Sequence, residues 1–340
     1  MKILFIGGTG TISTAISQKI LETPEHELFL LNRGSRNSVL HGNFTEIKVD
    51  INEEEAVAAK LEGMKFDCVC DFICFHTEQI KRDYRLFRSN TRQFMFISTA
   101  SAYAKPARDY IISEGTSLVN PHWEYSREKI ECENFLMEKY RFEGFPMTII
   151  RPTYTYDERK VPLGVHGANG SFQVIKRMLE GKPVIIHGDG SSLWTMTHNS
   201  DFAKAFVGLI GNAHAIGEAF QITSDETLTW DQIYQCIADT LGVKLNAYHV
   251  ASEFLASVGK QYDFEGGLLG DKSVSVVFDN SKLKRAVPQY LPSVSFREGV
   301  QRTINYILTH PDCQQLDPEF DAWCDKVIES LEEAKKKLGF

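Results

Sequence analysis

The sequence predicts an α/β protein built on a doubly wound parallel sheet, with a smaller mixed α/β lobe. Short apolar runs separated by helix-length segments recur through the first 155 residues, which is typical of parallel strands buried on both faces. The first run, residues 2–6, leads directly into the glycine-rich turn Gly7-Gly8-Thr9-Gly10. The expected organisation is a first domain at 1–155, to which 195–225 return, a lobe formed by 156–194 and 226–310, and a helical tail at 311–340.

The glycine-rich turn lies between a predicted strand and a predicted helix. The helix is expected from about Thr14 to Glu22, before Pro24, and another apolar run follows at 28–31. Glycines let a backbone approach a pyrophosphate, and a helix N-terminus directs amides and a positive dipole end towards it. The order of strand, turn, helix and strand therefore predicts a dinucleotide site, in which Ser13 takes the small third position of the glycine fingerprint.

The end of the second strand indicates which dinucleotide is preferred. Asn32-Arg33 stands where an acid would bind the ribose hydroxyls of NAD and where an arginine suits the 2′-phosphate of NADP. The expected cofactor is NAD(P)(H). Because no acid is present at this position, Arg33, with Arg36, favours NADP(H) over NAD(H). Asp50-Ile51 closes the third strand and is expected near the adenine, or Asp50 caps the helix that follows.

Hydroxyl side chains follow the fifth strand. The fourth strand is predicted at 66–73 and the fifth at 93–97, and the chain continues Ser98-Thr99-Ala100-Ser101. Ligands bind beyond the carboxyl ends of strands in such a sheet, so these hydroxyls are expected to face the cofactor. A hydroxyl there can hold an oxygen whose proton moves. The alternative is a Ser/Thr cluster that satisfies a turn.

Tyr125 and Lys129 stand four residues apart in Tyr125-Ser126-Arg127-Glu128-Lys129. On a helix this spacing places both side chains on one face. An ammonium beside a phenol stabilises the phenolate and lowers a pKa that is otherwise about 10. Such a tyrosine can exchange a proton with an alcohol or a carbonyl near neutral pH.

Taken in order, these motifs resemble the extended short-chain dehydrogenase/reductase family, the NAD(P)-dependent epimerase/dehydratase group. The resemblance covers roughly residues 1–310 and rests on Gly7-x-x-Gly10-x-x-Ser13, Asp50-Ile51, Ser98-Thr99…Tyr103, Tyr125-x-x-x-Lys129, Arg151-Pro152-Thr153 and Asp189-Gly190…His198-x-x-Asp201. It implies a Rossmann sheet. It also implies that Tyr125 is the acid/base, that Lys129 holds the nicotinamide ribose and lowers the tyrosine pKa, and that Thr99 is the family's catalytic Ser/Thr.

The resemblance implies an enzyme: an NAD(P)(H)-dependent oxidoreductase or epimerase acting on an alcohol/carbonyl of a sugar-like or other hydroxylated small molecule. The expected cofactor contacts are Gly7, Thr9, Gly10, Thr11, Ile12, Asn32, Arg33, Asp50, Ile51, Phe72, Ser98 and Lys129. The expected substrate contacts in the lobe and around the tyrosine are Ser101, Tyr103, His122, Trp123 and Trp194.

Two departures from the family pattern narrow this function. Ala100-Ser101 stands where many nucleotide-sugar 4,6-dehydratases carry Asp-Glu, which argues against dehydration. Trp194 stands near the arginine with which many nucleotide-sugar epimerases bind the diphosphate, a bidentate contact that tryptophan lacks. Two alternatives stay open: a nucleotide-sugar epimerase with tightly bound NAD, and a non-catalytic NAD(P)-binding sensor or RNA-associated protein.

Composition sets further expectations. The formal net charge of −8 argues against a nucleic-acid or anionic membrane partner, and no apolar run nears the roughly twenty residues of a membrane span. Met1-Lys2 leads straight into the first strand, which indicates no signal peptide. Seven scattered cysteines without zinc spacing predict no metal site and fit a reducing cytoplasm. Family members often dimerise through the helix that carries Tyr-x-x-x-Lys, so a homodimer through 125–140 is expected.

The C-terminal half carries fewer regular signals. Residues 264–272 contain three glycines and predict either a mobile lid or an ordinary surface loop. The charged stretch 329–337 predicts a solvated helical tail.

Overall fold

The computed structural model describes residues 1–34 and 39–339, so Arg36 lies outside the described residues. The strands within those ranges are β1 Lys2–Ile6, β2 Glu27–Asn32, β3 Thr45–Lys48, β4 Cys68–Asp71, β5 Phe94–Ile97, β6 Ile111–Ile112, β7 Met147–Pro152, β8 Tyr154–Tyr156, β9 Val184–His187, β10 Leu193–Trp194, β11 Met196–His198, β12 Ala219–Ile222, β13 Leu228–Thr229, β14 Ala247–Val250 and β15 Val277–Phe278.

The α-helices are α1 Thr11–Leu21, α2 Glu54–Lys60, α3 Thr77–Phe87, α4 Glu124–Glu143, α5 Phe172–Leu179, α6 Asn199–Leu209, α7 Trp230–Leu241, α8 Ser252–Val258, α9 Ser281–Ala286, α10 Phe296–Thr309 and α11 Pro318–Leu338. A short 3₁₀ helix spans Ala100–Ala102, and a π-helix spans Glu265–Lys272. None of the described helices is both long enough and apolar enough to cross a membrane.

The chain forms two compact units. The first consists of Met1–Thr155, Thr197–Asp225 and Phe278–Ser293, and the second of Tyr156–Met196, Glu226–Val277 and Val294–Phe340. The sequence-based division instead placed 278–293 in the lobe. These residues belong to the first unit because Leu283 and Val287, in and just after α9, are buried in the same apolar cluster as Phe206 of α6.

The first unit contains a seven-stranded parallel sheet with the order β12-β7-β5-β4-β1-β2-β3. The predicted doubly wound α/β fold is therefore confirmed. The chain leaves β1 towards β2 on one side and returns to β4 on the other, so the strand order reverses beside β1. The end of β1 pairs with both neighbours, Ile6 with Leu31 and with Asp71. Ligands of open α/β sheets bind at such a switch point.

The apolar composition of β1 follows from burial on both faces. Ile3 and Phe5 belong to one core cluster, whereas Leu4 and Ile6 belong to the cluster on the other face of the sheet, and all four are 0% exposed. A strand covered by helices on both sides reads as a continuous apolar run instead of an alternating one. The same burial fixes the position of the turn that follows.

The second unit contains small sheets and packed helices. β9 pairs with β14, and β10 pairs with β13. The C-terminal helix α11 is anchored on α5, because the Arg177 guanidinium lies 2.7 Å from carboxylates of both Asp321 and Asp325. The first half of α11 is packed, and Phe320 and Cys324 are buried there. The stretch 329–337, predicted as a solvated tail, lies in the second half of the helix and contains no buried residue.

Residues 264–272 differ from both predicted alternatives. They form a π-helix instead of a loop, and the carbonyl oxygen of Lys272 at its end accepts hydrogen bonds from His187 Nε2, Ser192 Oγ and Trp230 Nε1. Three donors from distant segments anchor this end of the π-helix within the second unit.

Candidate active site

Hydroxyl side chains of α1 hold the glycine turn after β1. Ser13 Oγ accepts from the Gly10 amide and donates to the Gly7 carbonyl, at 2.8 and 2.9 Å. Ser17 Oγ donates to the Gly8 carbonyl at 2.8 Å. The Ser13 hydroxyl at the third position of the fingerprint therefore holds the turn in place. A glycine at that position would have no side chain with which to make these hydrogen bonds.

Gly7 is the position where the turn requires glycine. Its φ is +80°, and an added Cβ would lie 2.6 Å from Ile73 Cγ2. Both the left-handed backbone and the close approach exclude larger residues. The backbone of Gly7 and the side chain of Ile73 thus meet at the ends of β1 and β4.

A cavity of about 500 Å³ opens beside this turn. Its lining comes from the ends of β1, β2, β3 and β4, and consists of Gly7, Thr9, Gly10, Leu31, Asn32, Arg33, Gly34, Val49, Asp50, Ile51, Asn52 and Ile73. The glycine cradle at the N-terminus of α1 suits a pyrophosphate, and the far loops suit an adenosine moiety. The residues present therefore fit an adenine dinucleotide.

Seven of the residues predicted to contact the cofactor line this cavity: Gly7, Thr9, Gly10, Asn32, Arg33, Asp50 and Ile51. The others lie elsewhere in the first unit. Thr11 is exposed at the start of α1, Ile12 packs against the core, and Phe72 packs edge-on against Phe5 at 5.0 Å between ring centres. Ser98 is buried, and its hydroxyl donates to Glu133.

Lys129 is buried on α4, where its ammonium donates to two backbone carbonyls. Nζ lies 2.6 Å from the oxygen of Cys74 and 2.7 Å from that of Ile97, which follow β4 and end β5. Burial lowers the pKa of Lys129, and nearby acidic groups such as Asp71 and Glu133 oppose that shift. The two carbonyls fix the ammonium beside the carboxyl ends of the central strands.

Aromatic rings surround the Lys129 ammonium. Nζ lies 4.7 Å from the ring centre of Phe75, 4.9 Å from that of Phe96 and 5.7 Å from that of Tyr125. The Trp123 ring lies 5.0 Å from the Tyr125 ring. The predicted Tyr125 and Lys129 pair is thus brought together on one face of α4, with Trp123 next to the tyrosine.

Asn120 joins the start of α4 to the turn after β5. Its Oδ1 accepts from the amides of His122 and Trp123, and its Nδ2 donates to the Ser101 carbonyl at 2.9 Å. This contact sets the position of Tyr125 relative to the turn that carries Thr99.

A chain of buried hydroxyls also joins the two segments. Thr99 Oγ1 lies 2.9 Å from Ser101 Oγ, which lies 2.6 Å from Ser126 Oγ. Thr99 Oγ1 accepts from the Ser101 amide as well. The Ser126 hydroxyl can donate to the Ser101 hydroxyl, which in turn can donate to Thr99 Oγ1. In that arrangement the Thr99 hydroxyl can donate its own proton to an oxygen of a bound molecule. Ser101, expected at the substrate, thus holds Thr99 in this structure.

Tyr103 and Trp194 occupy different places from those expected of substrate contacts. Tyr103 is 0% exposed, and its hydroxyl accepts from Arg151 Nη1 at 3.2 Å. Trp194 is 2% exposed in the second unit, with its ring 6.0 Å from that of Trp230. Both side chains pack in the interior, because partners from distant segments cover them. His122 is exposed and Trp123 is half-buried, so both retain surface for a ligand.

Asp71, Cys74 and Asp83 form the one group of potential metal ligands among the described residues, with ligand atoms within 4.8 Å of one another. All three residues are buried, and the guanidinium of Arg82 lies against both carboxylates. A guanidinium thus already lies beside these carboxylates, where a metal ion would bind, and we assign no metal to this group.

The sequence model of the NAD dependent epimerase/dehydratase family matches residues 3–223. The chain belongs to this family. The match confirms the resemblance stated from the motifs and the class of enzyme that it implies, an NAD(P)-dependent oxidoreductase or epimerase of the extended short-chain dehydrogenase/reductase type. It includes the glycine turn, Thr99, Tyr125 and Lys129.

Individual relatives of this family differ in their described activities. The chain is 22% identical over 290 residues to 2'-dehydrokanamycin reductase of Streptomyces kanamyceticus, covering 85% of this chain and 80% of that protein. It is 26% identical over 259 residues to the chloroplast stem-loop binding protein of 41 kDa b of Arabidopsis thaliana, covering 71% and 63%. UDP-glucuronic acid 4-epimerase from Bacillus cereus, solved with UDP-glucuronic acid and NAD, shares the fold at a TM-score of 0.72 with 21% identity, covering 91% and 99%.

Sequence motifs missed several residues of this candidate site. Phe75 covers the Lys129 ammonium, Asn120 anchors the start of α4, and Glu133 pairs with Arg151 beneath Ser98. Glu133 lies four residues after Lys129, so helical spacing could have placed it on the same face of α4. Nothing in the local sequence marks Phe75 or Asn120.

Proposed function

We propose that this protein transfers hydride between NAD(P)(H) and an alcohol/carbonyl carbon of a sugar-like or other hydroxylated small molecule. The observation that carries the proposal is the convergence of two features on the loop after β4. Ile73 of this loop lines the dinucleotide cavity, and the carbonyl of Cys74 accepts from Lys129 beside Tyr125. When bound, the cofactor supplies or accepts the hydride.

In this proposal Tyr125 passes the proton that accompanies the hydride. The Lys129 charge, 5.7 Å from the phenol ring, favours the phenolate and so assists proton removal from an alcohol. Thr99 holds the same substrate oxygen by a hydrogen bond, in the orientation that Ser101 and Ser126 allow. Trp123 and His122, at the start of α4, are the proposed substrate contacts.

We expect a reductase that exchanges its cofactor freely. The purified protein should release NAD(P)(H) on dialysis and should oxidise added NADPH or NADH in the presence of carbonyl compounds of hydroxylated type. The measurement is cofactor content after purification, followed by the absorbance of the reduced nicotinamide. Cofactor that stays bound through dialysis, with no net consumption, would instead support the second candidate, an epimerase, which the solved relative with UDP-glucuronic acid favours.

Arg33 is proposed to select NADP(H). Arg33 is exposed at the end of β2 and lines the dinucleotide cavity, where its guanidinium can bind a 2′-phosphate. Arg33→Glu should weaken NADPH binding by about tenfold, the scale of one charge-assisted hydrogen bond, and should leave NADH binding equal or tighter. Calorimetric titration of both nucleotides provides the test, with the exposed Arg92→Glu as the matched control. Tighter binding of NADH than NADPH by the unmodified protein would overturn this preference.

The relative named for stem-loop binding favours another candidate, RNA binding on the same scaffold. The net charge of −8 opposes RNA binding, since protein surfaces that bind nucleic acid are basic.

A homodimer through α4 and a cytoplasmic location remain part of the proposal. The exposed Phe142, near the end of α4, supports the homodimer. The free state of all seven cysteines supports a reducing compartment such as the cytoplasm.

A further inference from the structure

A buried ionic cluster in the first unit is not used by the proposed chemistry. Arg82 and Asp83 lie on α3 and Asp71 ends β4, and they are 6%, 0% and 1% exposed. Arg82 donates from Nε and Nη2 to Asp83 Oδ1, at 2.9 and 2.7 Å, and its Nη2 lies 3.6 Å from Asp71 Oδ2. One buried guanidinium therefore faces two carboxyl groups.

Charge balance in this cluster points to a proton on the carboxyl pair. Two ionised carboxylates beside one guanidinium would leave a net negative charge away from water, which is costly. Burial raises the pKa of Asp83, and the neighbouring Asp71 raises it further. A protonated Asp83 makes the cluster neutral and leaves both Arg82 contacts in place.

The first arm of the cluster reaches the loop after β3. Arg82 Nη1 donates to Asn52 Oδ1 at 2.8 Å. The amide and Nδ2 of Asn52 in turn donate to Asp50 Oδ1, both at 3.0 Å. Asp50 and Asn52 both line the dinucleotide cavity. The buried guanidinium thus holds Asn52, and through it Asp50, in one wall of that cavity without lining the cavity itself.

The second arm reaches the loop after β4. Asp71 Oδ1 accepts from the Ile73 amide at 2.6 Å, and the Ile73 side chain packs against Gly7 in the cavity wall. The next residue, Cys74, provides the carbonyl that fixes Lys129. Both arms therefore end on residues that line the cavity, although no atom of Arg82 or Asp83 does so.

We propose that Arg82, Asp83 and Asp71 are positioning residues that hold two walls of the cavity in the shape that binds the adenosine part of the dinucleotide. The ligand class rests on the proposed function. The cluster acts through Asn52 on one side and through Ile73 on the other. Its removal lowers the affinity for the adenosine part of the nucleotide.

Arg82→Met tests the proposal against a matched control, Arg85→Met. Arg85 lies on the same helix and binds Glu54 of α2 at 2.7 Å, but it is exposed and does not contact either loop. Arg82→Met should weaken NADPH and NADH by about tenfold in calorimetric titration, and ADP, which carries the adenine without nicotinamide, by the same factor. Nicotinamide mononucleotide binding and the Arg85→Met affinities should stay within about twofold of the unmodified protein.

Asp83→Asn and Asp83→Leu keep the proposal testable if Arg82→Met does not fold, and a double-mutant cycle adds a test if it does. Asparagine resembles a protonated aspartic acid, so Asp83→Asn should retain nucleotide affinity, whereas Asp83→Leu should lose about tenfold. If Arg82 acts through Asn52, the double variant Arg82→Met/Asn52→Ala should bind no worse than the weaker single variant.

Several results would overturn the inference. One is an unchanged affinity for ADP in a folded Arg82→Met or Asp83→Leu protein. Another is a loss of nucleotide affinity in Arg85→Met equal to that in Arg82→Met. A third is a double variant whose loss of affinity is strictly the sum of the two single losses. Absence of any dinucleotide binding by the unmodified protein would instead contradict the proposed function itself. Thermal unfolding of each variant separates a local loss of binding from a general loss of stability.

Discussion

Tyr125→Phe is expected to lower kcat by about 10²–10⁴-fold, the usual contribution of a general acid/base, while dinucleotide affinity stays within about twofold. The ring and its 5.0 Å contact with Trp123 remain, so only the proton-transferring hydroxyl is lost. Steady-state rates with any carbonyl compound that the protein reduces, together with nucleotide titration, provide the measurement. Tyr140→Phe, on the same helix, removes a part-exposed hydroxyl and should leave both values unchanged.

The same variant separates catalysis from a binding role. A protein that works as a nucleotide-binding sensor or an RNA-binding protein should keep its cellular phenotype with Tyr125→Phe and lose it when Gly7 is replaced. Gly7 is the sharper choice for the second variant, because its φ of +80° and the 2.6 Å approach to Ile73 admit no Cβ. A phenotype that is lost with both variants supports the enzyme.

Lys129→Met is expected to lower kcat/KM by on the order of 10²-fold, since it removes the charge that favours the Tyr125 phenolate. The substitution also leaves the carbonyls of Cys74 and Ile97 without this donor, which should destabilise the fold by roughly 1–3 kcal/mol. Rates and chemical denaturation are the two measurements. Lys139→Met is the matched control, because Lys139 lies on the same helix and pairs with the part-exposed Glu143.

The double variant Tyr125→Phe/Lys129→Met tests whether the two residues act as a unit. Residues that serve one step are non-additive, so the double variant should be no slower than the slower single variant. If the losses multiply instead, Lys129 contributes through a route that does not involve Tyr125.

The sequence predicts the first unit well where the backbone itself imposes a residue type. Gly7 is required by a left-handed φ, and the apolar run of β1 is required by burial on both faces. The spacing of Tyr125 and Lys129 needs only a helix to bring them onto one face, and α4 provides it. These signals are local, so they can be recognised without knowing what packs against them.

Residues whose roles depend on distant partners were less predictable. Tyr103 follows the turn that carries Thr99, yet Arg151 of β7 binds its hydroxyl and Phe278 packs on its ring. Trp194 is covered by Trp230, thirty-six positions later in the chain. Arg82 and Asp83 resemble ordinary helix-surface charges until α3 is placed over β4. In each case tertiary packing decides between an exposed contact and a buried one.

The segments of the C-terminal half show the same limit. Residues 278–293 join the first unit because three of their side chains complete its core. No local sequence pattern predicts which core these side chains pack against. The glycines of 264–272 suggest a loop, but the carbonyl of Lys272 finds three donors and a π-helix forms. Glycine content reports conformational freedom, whereas the structure adopted depends on which hydrogen bonds become available.

Titration of Tyr125 itself is the sharpest test of whether Lys129 prepares this tyrosine for proton transfer. Ultraviolet difference absorbance between the unmodified protein and Tyr125→Phe, with saturating dinucleotide, isolates the ionisation of this one phenol. The same subtraction is then made in the Lys129→Met background. We expect Tyr125 to ionise at lower pH when Lys129 is present than when methionine replaces it. The same ionisation midpoint in both backgrounds would show that Lys129 does not prepare Tyr125 for proton transfer.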